Sequence, residues 1–332
     1  MNTFPNEVID IVGIGASTLD RFIVVDHFPT GREVQQSISS TTDGGGPVAT
    51  ALATAGKYGS CTVMIDRIGD DMVGRYILED FHKYNVNIEG IQVDADAKSG
   101  TATILVKQKT GERAVFFERS TAPEPEFLDD YQGLIENAFI VHINGRHRHL
   151  MRTAIDLARQ SGTIISLDGG AQRYDDDMRT ITESSHVVIV ARDYAEKYTG
   201  TTDLEAACRI IHDRGALIAG VTDGANGSYF VWPDGTAYRC QPFPQEHVVD
   251  TTGAGDSFHG AFLSKLAVSI RQENALHDEF IKPIDILQSL DHKQLESAAI
   301  FASAVSALNT QGIGGRSALP SLETARNLAG LE

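Results

Sequence analysis

Short apolar runs alternate with longer amphipathic stretches along most of the chain. Runs that are typical of buried strands lie at 8–15, 62–68, 139–143, 163–167, 186–190 and 216–221. Stretches with helical spacing separate them, beginning with the Ala-rich 47–58 and the amphipathic 72–84. This alternation predicts an α/β fold with a doubly wound, mostly parallel sheet flanked by helices.

Two segments interrupt this alternation with residues that favour strands. The segments at about 21–43 and 101–120 are rich in β-branched residues between turn signals, and one strand is expected over 33–42. The second segment has two strand-like runs around Lys109-Thr110-Gly111-Glu112, whose glycine suits a hairpin turn. We therefore predict a small β-sheet lid inserted into a single domain that spans 1–332.

Composition and charge exclude several classes of function. The formal net charge is −17, whereas nucleic-acid binding needs clustered Lys and Arg, so no nucleic-acid partner is expected. No run of about 18 apolar residues occurs and the start lacks the pattern of a signal peptide, so no membrane association is expected. The three cysteines form no CxxC pair, which argues against a zinc site and against disulfides and favours a cytoplasmic location.

The strongest local signal is the segment DTTGAGDSF at 250–258, which leads from a short predicted strand into an apolar helix. Gly253 and Gly255 allow close approach of the backbone to a ligand, and the unpaired amides of a first helical turn suit a phosphoryl group. Because a carboxylate beside polyphosphate is repelled, Asp256 needs a function, and it fits the base that phosphoryl transfer requires. The alternative is a tight turn with Asp256 as a helix cap.

This segment resembles the signature of the ribokinase (pfkB) family of carbohydrate kinases. The family's N-terminal pattern resembles Gly13-Ile14-Gly15 with Asp20, Gly44-Gly45-Gly46, and Arg67-Ile68-Gly69-Asp70-Asp71 with Gly74. The resemblance spans nearly the whole chain. It implies a ribokinase-like domain with a β lid, a small carbohydrate and ATP as substrates, Mg²⁺ as cofactor, and a homodimer that forms through the lid.

The resemblance also implies roles for individual residues by position. The group that would bind the sugar comprises Asp20, Gly45, Gly46 and Thr50. The group that would act on the transferred phosphoryl comprises Gly253, Ala254, Gly255 and, as general base, Asp256. Many relatives have an asparagine in place of Thr50, so one polar contact to the sugar is expected to differ.

The nucleotide and the cations have their own expected positions. By resemblance, the nucleotide would contact Thr222, Gly224, Gly227 and Thr252. Activation by a monovalent cation such as K⁺ is common in the family and would place that ion near Asp250 and Thr252. Many relatives have an NxxE motif where this chain has Ala191-Arg192-Asp193-Tyr194, so the usual Mg²⁺-linked carboxylate is missing. Asp193 or Glu196 could replace it through water, or both are solvated helix charges.

The acceptor is less defined than the class of reaction. Residues 44–51, His259 and 314–320 most resemble the kinases of this family that act on 6-deoxy-6-sulfofructose. That resemblance implies an acceptor with an anionic tail, which Arg32 and Arg146 would bind, because guanidinium groups suit oxyanions. The alternative is an unspecified ketose or other carbohydrate, in which case these arginines are surface charges.

Two other functions remain open. A nucleoside (adenosine-type) kinase shares the fold and the signature, and a non-catalytic sugar- or nucleotide-binding regulator could retain the scaffold and the pocket. The presence of Asp256 counts against the regulator. A dinucleotide-binding oxidoreductase is disfavoured, because the third glycine after Gly13-Ile14-Gly15 is replaced by Thr18 and a β-rich stretch follows.

Overall fold

A large sheet and a smaller one form the framework of the molecule, a computed structural model that describes residues 8–331. The strands in these residues are β1 (Ile9–Ile14), β2 (Thr18–Val25), β3 (Ser39–Gly45), β4 (Thr62–Gly69), β5 (Val86–Asn87), β6 (Ile91–Asp94), β7 (Gly100–Lys107), β8 (Arg113–Glu118), β9 (Ala138–Ile143), β10 (Ile164–Gly169), β11 (Val187–Ala191), β12 (Ile218–Thr222), β13 (Ser228–Val231) and β14 (Ala237–Cys240). Ten of them belong to the large sheet and four to the smaller one.

The large sheet has the order β14-β13-β12-β11-β10-β9-β1-β4-β5, with β6 paired to β4. Its strands run parallel except for the pairs β12–β13 and β13–β14. The strand order reverses at β1, because the chain continues to β4 on one side and later to β9 on the other. Ligands of such sheets bind outside the carboxyl ends of the strands at this reversal. The predicted doubly wound, mostly parallel sheet is confirmed.

Helices cover both faces of the large sheet. They are α1 (Pro47–Lys57), α2 (Met72–Lys83), α3 (Asp129–Glu136), α4 (Arg148–Ser161), α5 (Asp176–Glu183), α6 (Arg192–Thr199), α7 (Leu204–Asp213), α8 (Ala254–Asn274), α9 (Pro283–Ser289), α10 (His292–Asn309) and α11 (Leu322–Ala329). One apolar core lies between the sheet and α1, α2 and α8–α11, and a second lies between the sheet and α3–α7. Within residues 8–331, no helix combines the length and the apolarity that a membrane span requires.

The position of α8 depends on close packing against the Ala-rich α1. A side chain at Gly260 would collide with the carbonyl of Ala51, so only glycine lets the two helices approach this closely. Helix α8 is buried on other sides as well, since the fully buried Phe262 stacks on Phe230 of the large sheet. The packing against α1 fixes where the first turn of α8 meets the carboxyl edge of the sheet.

The smaller sheet has the order β3-β2-β7-β8, and we call it the lid sheet. It pairs β2 with β7 in parallel and the two outer pairs antiparallel. The prediction of a small second sheet is confirmed, but the strand expected over 33–42 begins only at Ser39. Residues 33–38 precede the strand and are exposed or half-buried, so their β-branched side chains are not packed into a core.

One further expectation about strands was wrong, and one hairpin was missed. No strand leads directly into α8, because the amides of Val249 and Asp250 donate to the carbonyl of Thr310 (2.8 and 3.2 Å) instead of joining a sheet. The antiparallel strands β13 and β14 were not predicted, since each has only four residues. They complete the large sheet on the side where the nucleotide is expected.

A buried arginine links the lid sheet to helices α1 and α2. Arg316 is 2% exposed, and its guanidinium pairs with Asp80 of α2. It also donates to the carbonyl of Gly45 (2.9 Å) and to the hydroxyl of Thr50 (3.1 Å). The Arg316 amide donates to the carboxylate of Asp43 (2.8 Å). Every side of this charge therefore has a partner, as burial of an ion requires.

We predict that Arg316→Met lowers the free energy of unfolding by about 3–5 kcal/mol, because Asp80 is left buried without its partner. The measurement is urea denaturation. Arg209→Met is the matched control, since Arg209 pairs with Glu205 at the surface (3.0 Å) and should cost less than about 1 kcal/mol. Equal small losses in the two variants would show that Arg316 is not a structural hub.

Candidate active site

The Gly253–Gly255 turn forms the entrance of α8. Gly253 precedes the helix with a left-handed backbone (φ 71°), and a side chain there would collide with Gly315. A Cβ at Gly255 would meet no protein atom within 4 Å, so the space above it is open. The amides of a first helical turn lack partners within the helix, and they carry the positive end of its dipole. The turn is therefore suited to bind an anion, and its contact with a phosphoryl group stays a prediction.

Asp256 lies in the first turn of α8, directly beside this anion-binding turn. Burial and, after it, the negative charge of Asp168 raise the pKa of Asp256 to about 6. Arg173, His259 and Arg316 oppose the shift. A carboxyl group with this pKa is still ionised at neutral pH and is a stronger base than an exposed aspartate. Its chemistry suits the removal of a proton from an acceptor hydroxyl.

The residues expected to bind the sugar lie where β2 and β3 pair. Asp20 faces Gly45 so closely that a side chain on this glycine would collide with the carboxylate. Burial raises the pKa of Asp20, and the hydroxyl of Thr18, which donates to it (2.8 Å), opposes this shift. Gly46 caps α1 with φ 95°, and a side chain there would collide with the carbonyl of Ala16. Asp20, Gly45 and Gly46 therefore share one surface.

Thr50 lies behind this surface rather than on it. It is 1% exposed, and its hydroxyl accepts from Arg316. In the structure it supports the guanidinium that holds Gly45. The link from Thr50 through Arg316 to Asp80 was missed, because these residues are far apart in the sequence.

Four arginines surround the segment that follows β9. Partial burial and the nearby charges of Arg119, Arg173 and Arg148 lower the pKa of Arg146. Arg148 is neutralised by Asp175 and Asp177, and Arg173 lies 3.6 Å from Asp168. Arg119 and Arg173 were not predicted, although Arg173 follows the carboxyl end of β10, where sheet topology places ligands.

Arg32 lies apart from this group in sequence and in secondary structure. It belongs to the exposed segment between β2 and β3 of the lid sheet. None of the contacts among residues 8–331 joins it to Arg146. A joint role of Arg32 and Arg146 stays a prediction.

A cavity of about 370 Å³ opens on the other side of the Gly253–Gly255 turn. Its walls include Thr222, Gly224 and Gly227, which were expected to contact the nucleotide, together with Ala254 and Gly255. Thr251 lines it in place of the expected Thr252. Further lining residues that were missed are Phe258, the segment Pro242–Gln245, and Ser303, Ser306, Ala307 and Thr310. The last four repeat at helical spacing along α10, which is the signal that could have found them.

Thr252 instead belongs to a hydrogen-bonded group around Asp250. The buried Asp250 carboxylate accepts from the amide and the hydroxyl of Thr252 (2.9 and 2.7 Å) and from the amide of Gly314 (3.0 Å). Arg113, from β8 of the lid sheet, also donates to it (3.1 Å) and contacts Thr251 and Thr252. The place expected for a monovalent cation thus already has a guanidinium beside its carboxylate.

The two candidates for a magnesium-linked carboxylate are both engaged. Asp193 accepts from the amide of Gln172 (2.6 Å), and Glu196 accepts from Arg192 (2.9 Å). Among residues 8–331, no group of three or more His, Cys, Asp or Glu side chains is arranged to hold a metal ion. Mg²⁺ that enters with a nucleotide would therefore depend on water and phosphate for most of its ligands.

Comparison with known proteins decides the class of this site. The family model for pfkB family carbohydrate kinases matches residues 8–322. The chain belongs to this family. The predictions of a ribokinase-like fold and of an ATP-dependent carbohydrate kinase are thereby confirmed.

Individual relatives of this pfkB kinase are distant but similar over long stretches. The chain is 24% identical over 329 residues to a bifunctional ribokinase/ribose-5-phosphate isomerase A of Fructilactobacillus sanfranciscensis, covering 96% of this chain and 56% of that longer protein. It is 27% identical over 309 residues to fructokinase-2 of Solanum lycopersicum, covering 86% of each. The structure of Arabidopsis thaliana ribokinase complexed with ribose and ATP superimposes with a TM-score of 0.77 at 20% identity, covering 98% of this chain and all of that one.

We predict that Gly253→Ala destabilises this kinase more than Gly235→Ala does. Gly235 also has a left-handed backbone (φ 82°) but has open space around it, so its substitution carries only the conformational strain of about 1–2 kcal/mol. Gly253→Ala adds the collision with Gly315. Urea denaturation of both variants measures the loss in the free energy of unfolding. Equal losses would mean that the backbone near Gly253 can shift to avoid the collision.

Proposed function

We propose that this kinase transfers the terminal phosphoryl group of ATP to a hydroxyl of a small, ketose-like carbohydrate, with Asp256 as general base. The observation that carries the proposal is the position of Asp256 in the first turn of α8, beside the Gly253–Gly255 turn. The positive charge of Arg316 lowers the pKa of both Asp256 and Asp20, so the proposed base and the proposed sugar-side carboxylate both lie within reach of the charge on Arg316. That arrangement matches what phosphoryl transfer needs, which is positioning, charge stabilisation and a base.

Different residues of the chain have different roles in the proposed reaction. When bound, ATP supplies the phosphoryl group and Mg²⁺ offsets its charge. The first-turn amides of α8 donate to phosphoryl oxygens, where their dipole stabilises developing negative charge. Asp20 accepts hydrogen bonds from sugar hydroxyls and orients the acceptor. A carboxylate oxygen of Asp256 takes the proton of the attacking hydroxyl, and that proton later leaves to solvent.

Several features support nucleotide binding on the other side of the turn. The cavity bounded by Thr222, Gly224 and Phe258 has a largely apolar lining, and Ala254 and Gly255 at the start of α8 form part of its wall. Such a site suits an aromatic base at one end and phosphates at the other. Activation by K⁺ near Asp250 and Thr252 stays a prediction, with Arg113 as a competing charge.

We further propose that the acceptor has an anionic group, with 6-deoxy-6-sulfofructose as the candidate. The support is the group of arginines around Arg146, of which Arg119 has no acidic partner among residues 8–331. A cluster of like charges is unfavourable unless an anion offsets it, and guanidinium groups bind oxyanions with two parallel hydrogen bonds. A neutral ketose is the competing acceptor, which the fructokinase relatives favour.

The proposed homodimer has support in the outer strand of the lid sheet. Its edge strand β8 has three consecutive large apolar residues, Val115, Phe116 and Phe117, which are 60, 61 and 48% exposed. An edge strand with exposed apolar side chains invites pairing with another chain. We propose that a second copy of this chain covers them.

Asp256→Asn is expected to retain ATP binding while it loses about a hundred- to ten-thousand-fold in turnover, because the base is gone and the shape is kept. Coupled assay of ADP release measures turnover, and calorimetry measures ATP binding. Asp213→Asn is the matched control, since Asp213 is a solvent-exposed aspartate at the end of α7. Near-normal turnover in Asp256→Asn would remove Asp256 from the mechanism.

Arg146→Met should raise the KM for 6-deoxy-6-sulfofructose about tenfold or more, which corresponds to the loss of a charged hydrogen bond. The KM for fructose should stay the same, because a neutral sugar has no group for Arg146 to bind. Steady-state kinetics with both sugars makes the comparison, and Arg159→Met at the far end of α4 serves as control. An equal effect on both sugars would contradict an anion-binding role.

Phe116→Asp is expected to convert a dimer into a monomer, since a charge in the apolar contact opposes association. Sedimentation velocity of the native chain and the variant tests this. Leu276→Asp introduces the same charge at a residue that is 77% exposed outside the lid sheet, and it should leave the dimer intact. A monomeric native chain would end the proposal.

A further inference from the structure

A buried polar cluster lies beneath the first two turns of α8, and the proposed mechanism does not use it. His259 and Asp168 are each 4% exposed, and His259 Nε2 lies 3.3 Å from Asp168 Oδ1. His142 of β9 is fully buried and faces His259, with ring centroids 5.4 Å apart. The cluster thus joins α8 to the carboxyl ends of β9 and β10.

The cluster is poorly satisfied for a purely structural contact. Among the described residues, Asp168 Oδ2, His259 Nδ1 and His142 Nε2 are buried without a hydrogen-bond partner. Arg173 Nη1 lies 3.6 Å from Asp168 Oδ2, and His142 Nδ1 contacts Ser166 Oγ (3.1 Å). Burying polar groups without full pairing is unfavourable, so an apolar contact would anchor α8 better. The free-energy cost of these unpaired polar atoms indicates that the cluster has a functional role.

That reason lies in the geometry of α8. Asp256 and His259 are three residues apart on the helix, so their side chains lie on the same face about 5–6 Å apart at Cβ. The pair Asp168–His259 therefore lies directly behind the base. The charged groups that face Asp256 are Asp168 of β10, Arg173 after β10, His259 of α8 itself, and Arg316 after α10.

The charge of Asp168 persists where Asp256 titrates. Burial opposes ionisation of Asp168, but the charge and hydrogen bond of His259, with Arg173, outweigh burial and hold the pKa of Asp168 below its ordinary range. The same negative charge adds to burial in raising the pKa of Asp256. The pKa values of the two carboxyl groups are thus shifted in opposite directions, that of Asp168 downward and that of Asp256 upward. Such a separation is a common way to prepare a general base.

We propose that Asp168 and His259 are positioning residues for the base: the buried negative charge of Asp168 makes Asp256 a stronger base, and His259 holds that charge in place. This inference rests on the proposed role of Asp256. It assigns no contact with substrate to either residue. Asp168 and His259 therefore shift the protonation equilibrium of Asp256, in addition to holding α8 in place.

The test is the titration of the Asp256 carboxyl by NMR in protein labelled with ¹³C at aspartate carboxyl carbons. The signal is assigned by its absence in Asp256→Asn. Asp168→Asn keeps the shape and removes the charge, so the midpoint should fall by about one pH unit. Asp10→Asn is the matched control, because Asp10 is a fully buried aspartate at the amino end of β1 that accepts from the Cys61 amide (2.7 Å). It should leave the midpoint unchanged.

Each outcome decides the inference. An unchanged midpoint in Asp168→Asn would overturn it, as would an equal shift in Asp10→Asn. If Asp168→Asn does not fold, Asp168→Ser replaces it. That variant also removes the negative charge, so the midpoint should again fall, and an unchanged midpoint would again overturn the inference.

Kinetics separates this inference from the proposed function. A general base works only when ionised, so turnover should fall as the pH drops through the pKa of Asp256. In Asp168→Asn this acidic limb should move to lower pH, and the plateau should fall because the base is weaker. If the native chain shows the NMR shift but no acceptor is phosphorylated, the proposed function fails while the charge network stands.

Discussion

The buried guanidinium of Arg316 is the constraint on which both sides of the site depend. It bonds the carbonyl of Gly45 on the proposed acceptor side, and its neighbour Gly315 packs against Gly253 on the proposed phosphate side. The amide of Gly314 adds a bond to Asp250. One short segment after α10 thus holds Gly45 and the Gly253–Gly255 turn at a fixed separation. Since phosphoryl transfer depends on positioning, this buried charge has a direct bearing on rate.

Local charge, not net charge, decides what this chain can bind. The chain has a formal net charge of −17, yet Arg113 lies beside Asp250 next to the start of α8, and Arg146 lies near three further arginines. The charge of Asp168 opposes ionisation of Asp256, and burial strengthens this effect because few water molecules screen it. Under the proposed function, an anion-binding turn therefore lies beside an anionic base.

The sequence predicted those features that local pattern encodes. Buried parallel strands appear as continuous apolar runs, so the large sheet could be predicted from runs such as 186–190. The segment 250–258 indicated the anion-binding turn and Asp256, because a glycine turn and a helix start are neighbours in the chain. Of the cavity in which we propose nucleotide binding, only the wall with Thr222, Gly224 and Gly227 was expected from the sequence, since another wall comes from α10.

The features that the sequence did not predict depend mainly on contacts between residues far apart in the chain. Arg316 meets Asp43 and Asp80 across more than two hundred residues, and His259 meets Asp168 across ninety-one, so no spacing rule connects them. Thr50 was expected to contact the sugar, but its hydroxyl accepts a hydrogen bond from Arg316 in the interior. The sequence shows that a side chain is polar, but it does not show toward which neighbour the side chain points. The hairpin of β13 and β14 was missed because short strands have little periodicity. These features follow from the fold and appear only when it is known.

The most direct test of the account is ATP consumption with Mg²⁺ at neutral pH across neutral ketoses and aldoses, 6-deoxy-6-sulfofructose, sugar phosphates and adenosine. Every reaction is repeated with Asp256→Asn. The account predicts turnover that requires a carbohydrate acceptor and that disappears in the variant. Turnover of adenosine in preference to every sugar would contradict it in favour of a nucleoside kinase, and silence with all acceptors would favour a non-catalytic binding protein.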